Sequence, residues 1–173
     1  MTSKTALVLT VSDRVSAGTR ADTSGDLLGE RLAEMGYAVE RRLVPDEIPA
    51  IATAIREAAA AHPLIVSTGG TGLTPRDVTP QATRTVLDYE VPGIAEAMRA
   101  AGRTKTPLAD LSRGLVGVVG RSLVINVPGS PKGSMESFDA VVPILDHALE
   151  TLSGPFDHDT ARAEGRRDLP PGA

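Results

Sequence analysis

Leu64-Ile-Val-Ser-Thr-Gly-Gly-Thr-Gly-Leu-Thr-Pro-Arg-Asp-Val-Thr-Pro80 is the stretch on which the fold is read. Leu64 to Ser67 is a short apolar run, as in a strand buried on both faces. His62-Pro63 bounds it on one side and Gly69-Gly70 on the other. Thr79-Pro80 then reads as a helix start, with Thr79 as N-cap and proline in the first helical position. Strand, glycine-rich turn and helix form one unit of an open α/β sheet. Such sheets take their ligands at the carboxyl ends of the strands.

The same grammar extends outward. Thr5 to Ser12 is a second apolar, β-branched run, followed by a polar loop from Asp13 to Thr23. Ser24 is a suitable cap for a helix to about Met35, which Gly36 ends, with Leu28, Leu32 and Met35 on one face. Tyr37 to Val44 reads as a strand, and Asp46 with Pro49 opens a helix carrying Ile51, Ile55 and Ala58. Strand, helix, strand, helix, strand implies a parallel sheet with right-handed crossovers. Further on, Pro92 opens a helix that Gly102 ends. Val116 to Val119 and Leu123 to Val127 flank Gly120-Arg121-Ser122 as a tight hairpin. One strand of that pair must oppose the parallel set. Met135, Phe138, Val142, Leu145, Leu149 and Leu152 mark a long helical face, with a kink or break expected at Pro143. Apolar periodicity ends near Gly154. The expected organisation is one domain over residues 1–154 and a polar, mobile tail over 155–173.

Composition narrows the function. The chain has 173 residues, 41% of them apolar but only 2% aromatic, and carries a net charge of −4. The core must therefore be aliphatic. A module that stacks bases on rings, or binds polyanions through a basic face, is not expected. Without cysteine there is no disulfide, thiolate metal site or cysteine nucleophile. No apolar run approaches the roughly 20 residues that span a bilayer. With no signal peptide at the N-terminus, a cytoplasmic protein without membrane contact is expected.

The chemistry concentrates in the loops. Gly69, Gly70 and Gly72 let backbone amides approach a ligand, and with the Thr68 and Thr71 hydroxyls they form a phosphate cradle. A tight strand-to-helix turn would use the same glycines. No lysine follows them as a Walker loop needs, position 75 is proline where a dinucleotide fingerprint needs glycine, and no Gly-x-Ser-x-Gly elbow occurs. Asp77 lies in the glycine loop with no helix to cap, because Thr79 serves there. Asp46 lies in the matching loop after the second strand, where it suits either a ligand or an N-cap. Two carboxylates beside a phosphate cradle suit Mg²⁺. Ser12-Asp13-Arg14 ends the first strand at the same edge. Asn126-Val-Pro-Gly-Ser-Pro-Lys-Gly133 opens the last helix, and its Gly129 and Ser130 amides with Lys132 offer a second anion site. Glu136 follows one turn later, either to bind or to oppose the helix dipole. His62, His147 and His158 lack metal-ligand spacing.

Together these segments resemble the MogA/MoaB family of molybdenum cofactor biosynthesis proteins and the molybdopterin-binding domain in general. The matching runs are Thr10-Val-Ser-Asp-Arg14, Asp22-Thr-Ser-Gly25, Val44-Pro-Asp-Glu47, Ser67-Thr-Gly-Gly-Thr-Gly72, Arg76-Asp-Val-Thr-Pro80, Pro92-Gly93 and Asn126-Val-Pro-Gly-Ser-Pro131. The resemblance implies an α/β fold that is a three-layer α/β/α sandwich, its mostly parallel sheet carrying one antiparallel strand, commonly assembled as a trimer. It implies a molybdopterin adenylyltransferase that uses ATP and Mg²⁺, and a hand-over to a molybdenum-insertion protein. Asp46 and Asp77 take the family's catalytic and metal-binding places. Ser12, Asp13, Gly69, Gly70, Thr71, Gly72, Pro128, Gly129, Ser130 and Glu136 take its ligand-binding places. A molybdopterin carrier without turnover is the alternative. A stand-alone relative of the CinA N-terminal domain is a third reading.

Overall fold

The computed structural model describes residues 4–154, so the expected tail over 155–173 lies outside the described residues. The strands are β1 (Thr5–Val11), β2 (Ala38–Val44), β3 (Leu64–Thr68), β4 (Tyr89–Glu90), β5 (Val116–Val119) and β6 (Ser122–Val127). The helices are α1 (Asp13–Ser16), α2 (Thr23–Glu34), α3 (Ile48–Ala59), α4 (Thr79–Arg84), α5 (Pro92–Arg103) and α6 (Pro131–Ser153), with a 3₁₀ turn at Pro107–Leu111.

The six strands form one sheet in the order β2-β1-β3-β6-β5-β4. The pairs β2-β1, β1-β3 and β3-β6 are parallel, while β5 runs antiparallel to both neighbours. Alternation along β1 divides the core. Ala6 and Val8 face one way, joining Leu28, Leu32, Met98, Phe138, Val141 and Leu145 of α2, α5 and α6. Leu7, Leu9 and Val11 face the other, against Ile51, Ile55 and Ala58 of α3 and Ala82 of α4. Two aliphatic layers on either side of a buried sheet make the three-layer sandwich.

Several local devices differ from the sequence reading. Asp22, not Ser24, caps α2, because its carboxylate accepts from the Gly25 amide at 3.1 Å. The Asp13 to Thr23 loop contains the one-turn helix α1. The α4 N-cap is Val78, with no side-chain cap bond. Gly102 does not end α5; a Cβ there would stand 2.7 Å from that of Ala109, so this glycine lets the 3₁₀ turn close on the helix. α6 runs unbroken for 23 residues through Pro143. Gly36 does terminate α2, with φ +86°.

Candidate functional site

Register brings the carboxyl ends of four strands to one edge. Val11 lies opposite Val44, Thr10 opposite Thr68, and Thr68 opposite Val127. The loops after β1, β2, β3 and β6 therefore meet.

Two glycines make that meeting possible. Gly69 has φ +101°, and a Cβ there would lie 2.2 Å from the Val11 carbonyl oxygen. Gly70 has φ +64°, and a Cβ there would meet Thr79 Oγ1 at 2.3 Å and Asp46 Oδ1 at 3.2 Å. From the far side a Cβ on Gly129 would come within 3.1 Å of Gly69 Cα. The β3 and β6 loops are thus pressed together backbone to backbone. Hydroxyls lock the contact. Thr68 Oγ1 donates to the Pro128 carbonyl at 2.8 Å, Ser24 Oγ to that of Gly129 at 2.7 Å, and Thr79 Oγ1 to that of Gly69 at 2.8 Å. Thr68 and Thr79 therefore hold the loop. Thr68 does not offer its proton to a phosphate and Thr79 does not cap the helix. Beneath them buried Asn126 donates from Nδ2 to Ser67 Oγ at 2.8 Å and to Thr83 Oγ1 at 3.1 Å, tying β3, α4 and β6 together.

The aspartates form a linked set. The Asp13 amide donates to Asp46 Oδ2 at 2.9 Å, and the Asp46 amide donates to Asp13 Oδ1 at 3.0 Å. Arg76 grips Asp13 with both arms, Nε to Oδ2 at 3.0 Å and Nη2 to Oδ1 at 2.8 Å. Its guanidinium, then the Asp46 amide, lowers the Asp13 pKa below the ordinary carboxylate value. Asp46 is shifted the other way, chiefly by burial, with the charges of Asp13 and Asp77 adding to the rise. Asp46 is not an N-cap, for Glu47 holds that position without a side-chain bond. Asp77 has a local task that its sequence position did not reveal: its Oδ2 accepts from Thr74 N at 2.8 Å and Thr74 Oγ1 at 2.6 Å. Among the described residues, the Oδ1 atoms of Asp46 and Asp77 carry no hydrogen bond.

Two cavities flank the backbone partition. One, of about 450 Å³, is lined by Ser12, Asp13, Asp46, Gly69 and the cationic Arg14 and Arg20. The other, of about 480 Å³, is lined by Thr71, Gly72, Pro128 and Glu136 with the apolar Met98, Leu108 and Leu111. Gly70, Asp77, Gly129 and Ser130 line both. Every residue that the resemblance gives a metal- or ligand-binding place borders one cavity or the other, but Lys132, expected to complete an anion site, lines neither and instead lies exposed beside Glu136 at 3.9 Å. One side is polar and charged and the other greasier, and they touch where the two glycine loops meet. Among the described residues no three His, Cys, Asp or Glu side chains cluster as a metal cage. Asp46 and Asp77 on one cavity wall nevertheless suit Mg²⁺, which takes few protein carboxylates and fills its shell with water and phosphate oxygens.

Arg20, Asn126 and Arg113 carried no sequence signal for the roles they hold. Arg113 follows the 3₁₀ turn, far along the chain from the glycine loop, yet donates from Nε to the Gly72 carbonyl at 2.7 Å and from Nη2 to that of Asp77. Only the fold brings them together. No helix among the described residues is long and apolar enough to cross a membrane.

Comparison with known proteins bears on this architecture. Residues 7–147 match the family model described as "Probable molybdopterin binding domain". The chain is 40% identical over 159 residues to a molybdenum cofactor biosynthesis bifunctional protein of Synechococcus elongatus, covering 91% of this chain and 50% of that one. It thus spans about half or less of the length of the first curated relatives it matches. It is 36% identical to a molybdopterin adenylyltransferase of Helicobacter pylori, covering 86% of this chain and 88% of that one. The crystal structure of the molybdopterin biosynthesis enzyme MoaB of Thermus thermophilus is 51% identical, with a TM-score of 0.81 over 87% of this chain and 96% of that one. The two-sided site at the sheet edge and the match over nearly the whole described chain agree, and the chain belongs to the molybdopterin-binding family of molybdenum cofactor biosynthesis proteins.

Proposed function

We propose that the protein is a molybdopterin adenylyltransferase. An oxygen of the terminal phosphate of molybdopterin attacks the α-phosphorus of ATP. The bond from that phosphorus to the bridging oxygen breaks, and pyrophosphate leaves with the electron pair. The products are adenylylated molybdopterin and pyrophosphate. The observation that carries this reading is the shared wall of Gly70, Asp77, Gly129 and Ser130 between a charged and an apolar cavity. Two ligands, one in each cavity, meet there with their phosphates.

Such a reaction needs positioning and charge neutralisation more than a strong base. Gly69 and Gly70, by positive φ and by close approach to Val11, Thr79 and Asp46, bring the loop backbone to the edge where the phosphates would lie. Arg14 and Arg20 offset phosphate charge on the polar side. Asp46 and Asp77 would hold Mg²⁺, which supplies charge neutralisation between phosphate oxygens. Asp13, neutralised by Arg76, orients Asp46 through the reciprocal amide bonds.

The test is incubation of the protein with molybdopterin, Mg²⁺ and ATP labelled at the α-phosphate. Labelled adenylylated molybdopterin and pyrophosphate are expected. Molybdopterin binding with no product would instead support a carrier, a reading favoured by the structural engagement of Asp77 with Thr74. Residues 1–154 are the proposed binding domain, acting in the cytoplasm and passing its product to a molybdenum-insertion protein. A homotrimer is proposed from the family resemblance, with either residues 92–101 of α5 or the segment around exposed Leu108 and Leu111 supplying apolar contacts. Light scattering giving a mass near 18.0 kDa would refute it.

A further inference from the structure

The loop from Gly69 to Val78 joins β3 to α4 with no regular structure of its own. Its carbonyls need donors from elsewhere, since unpaired buried backbone groups are costly. One residue, Arg113, supplies three of them, those of Thr71, Gly72 and Asp77. The Arg113 backbone amide donates to the Thr71 carbonyl at 2.9 Å, and its Nε to the Gly72 carbonyl at 2.7 Å. Nη2 reaches the Asp77 carbonyl, and Nη1 the Gln81 side chain at 3.2 Å. The guanidinium therefore joins the start of the loop, its end and the first turn of α4. Arg113 lines neither cavity. It stands behind the loop and touches no ligand space.

The base on which Arg113 stands is itself fixed. Gly114 packs so closely that a Cβ there would lie 2.6 Å from the Asn126 carbonyl oxygen. Arg99, which does line the apolar cavity, donates from Nη1 to the Gly114 carbonyl at 3.1 Å. The Leu115 carbonyl next along accepts from the Asn126 amide at 3.0 Å. The arginine thus transfers the position of β6 and the apolar wall onto the loop bearing Asp77.

We infer that Arg113 is a positioning residue: its planar fork sets the Gly72–Asp77 segment, and so the Asp77 carboxylate, at the junction of the two cavities. The inference rests on the proposed role of Asp77 as a metal carboxylate. Lysine keeps the charge but presents a point donor, not a fork, and cannot bridge both carbonyls at once.

The test compares wild type with Arg113→Lys and Arg113→Ala in the full chain. Hydrogen exchange of the unliganded protein reads loop placement. Exchange of the 70–78 amides is expected to rise about tenfold or more in both variants while β1, β3 and β6 stay protected. Unchanged loop exchange overturns the inference whatever the protein binds. Titration with Mn²⁺ alone, followed by electron paramagnetic resonance, reads the carboxylate. The Mn²⁺ dissociation constant is expected to rise about tenfold in Arg113→Lys at a nearly unchanged melting temperature, and millimolar guanidinium is expected to restore Arg113→Ala in part. A role confined to stability would lower the melting temperature and leave the constant of the folded fraction at the wild-type value, which also overturns the inference. Wild-type protein that binds neither Mn²⁺ nor molybdopterin would instead refute the proposed function, and Arg113 is then judged on loop exchange alone.

Discussion

Asp13 and Asp46 hold each other by the backbone: each amide donates to the other's carboxylate, at 2.9 and 3.0 Å. Two like charges on neighbouring strand ends would otherwise repel. Arg76 on Asp13 and the two amide bonds offset that repulsion, and they leave Asp46 as the member whose charge is disfavoured, mainly by burial.

Asp46→Asn is therefore expected to preserve or raise stability while removing activity. The sign follows from the shift. A carboxyl whose pKa is raised on folding contributes stability that is present below its unfolded pKa and is lost as pH rises through its folded one. The neutral variant escapes that loss. Its advantage over wild type is expected to be greatest near pH 7 and to vanish in acid below the ordinary Asp range. Adenylyl transfer is expected to fall about 10²–10³-fold, the usual loss for a key electrostatic group. Urea unfolding at several pH values with parallel turnover assays checks both; a variant less stable than wild type at pH 7 would refute the assignment.

Asp77→Asn and Gly72→Ala are expected to act on one carboxylate by two routes. The first removes the charge but keeps an oxygen able to accept from Thr74. The second keeps the charge, but its Cβ would lie 3.0 Å from Asp77 Oδ2 and must push the end of that side chain aside. Both variants are expected to melt close to wild type and to lose turnover, Asp77→Asn by about 10²–10³-fold and Gly72→Ala by less. Wild-type turnover in Asp77→Asn would exclude Asp77 from the chemistry.

Gly70→Ala is expected to cost stability as well as binding. Its φ of +64° strains any residue with a Cβ by about 1–3 kcal/mol. The new Cβ would also displace Thr79 Oγ1, breaking its bond to the Gly69 carbonyl. Leaving that buried pair unsatisfied adds about 1–3 kcal/mol. Thermal unfolding measures the sum, and molybdopterin titration below the transition measures the loss of binding. An unchanged melting temperature would contradict the turn geometry.

Asn126→Leu is expected to be at least as disruptive to stability as Gly70→Ala. It orphans the buried Ser67 and Thr83 hydroxyls, each at about 1–3 kcal/mol. A shift of the urea midpoint without a change in slope would confirm a stability effect.

The sheet was legible because the aliphatic runs of β1 and β3 and the hairpin about Gly120 are decided locally. Gly36 likewise announced a helix end through its required conformation. Other features depend on partners distant in the chain. Asp22 and Ser24 are both good caps, and Thr10, Arg41 and the Gly129 carbonyl settle which one caps α2. Pro143 sits inside α6 without breaking it, flanked by the buried Val141 and Leu145 of the core. Thr79 has the residue type of a cap but is drawn to the Gly69 carbonyl. The site aspartates and glycines were visible as motifs, while the bonds of Arg113 to the loop exist only in three dimensions.

The bond from Ser24 to the Gly129 carbonyl joins residues 105 positions apart. Arg76 and Asp13, 63 apart, join across the same edge. Closing such spans is entropically slow compared with forming helices or the β5-β6 hairpin. The ligand site is therefore expected to mature late in folding. A nascent chain that has not yet released the loop after β6 lacks one wall of both cavities and cannot sequester ligand. Ligand capture during refolding should lag the recovery of helical signal, so the lag between the two measures the final closure of the sheet edge.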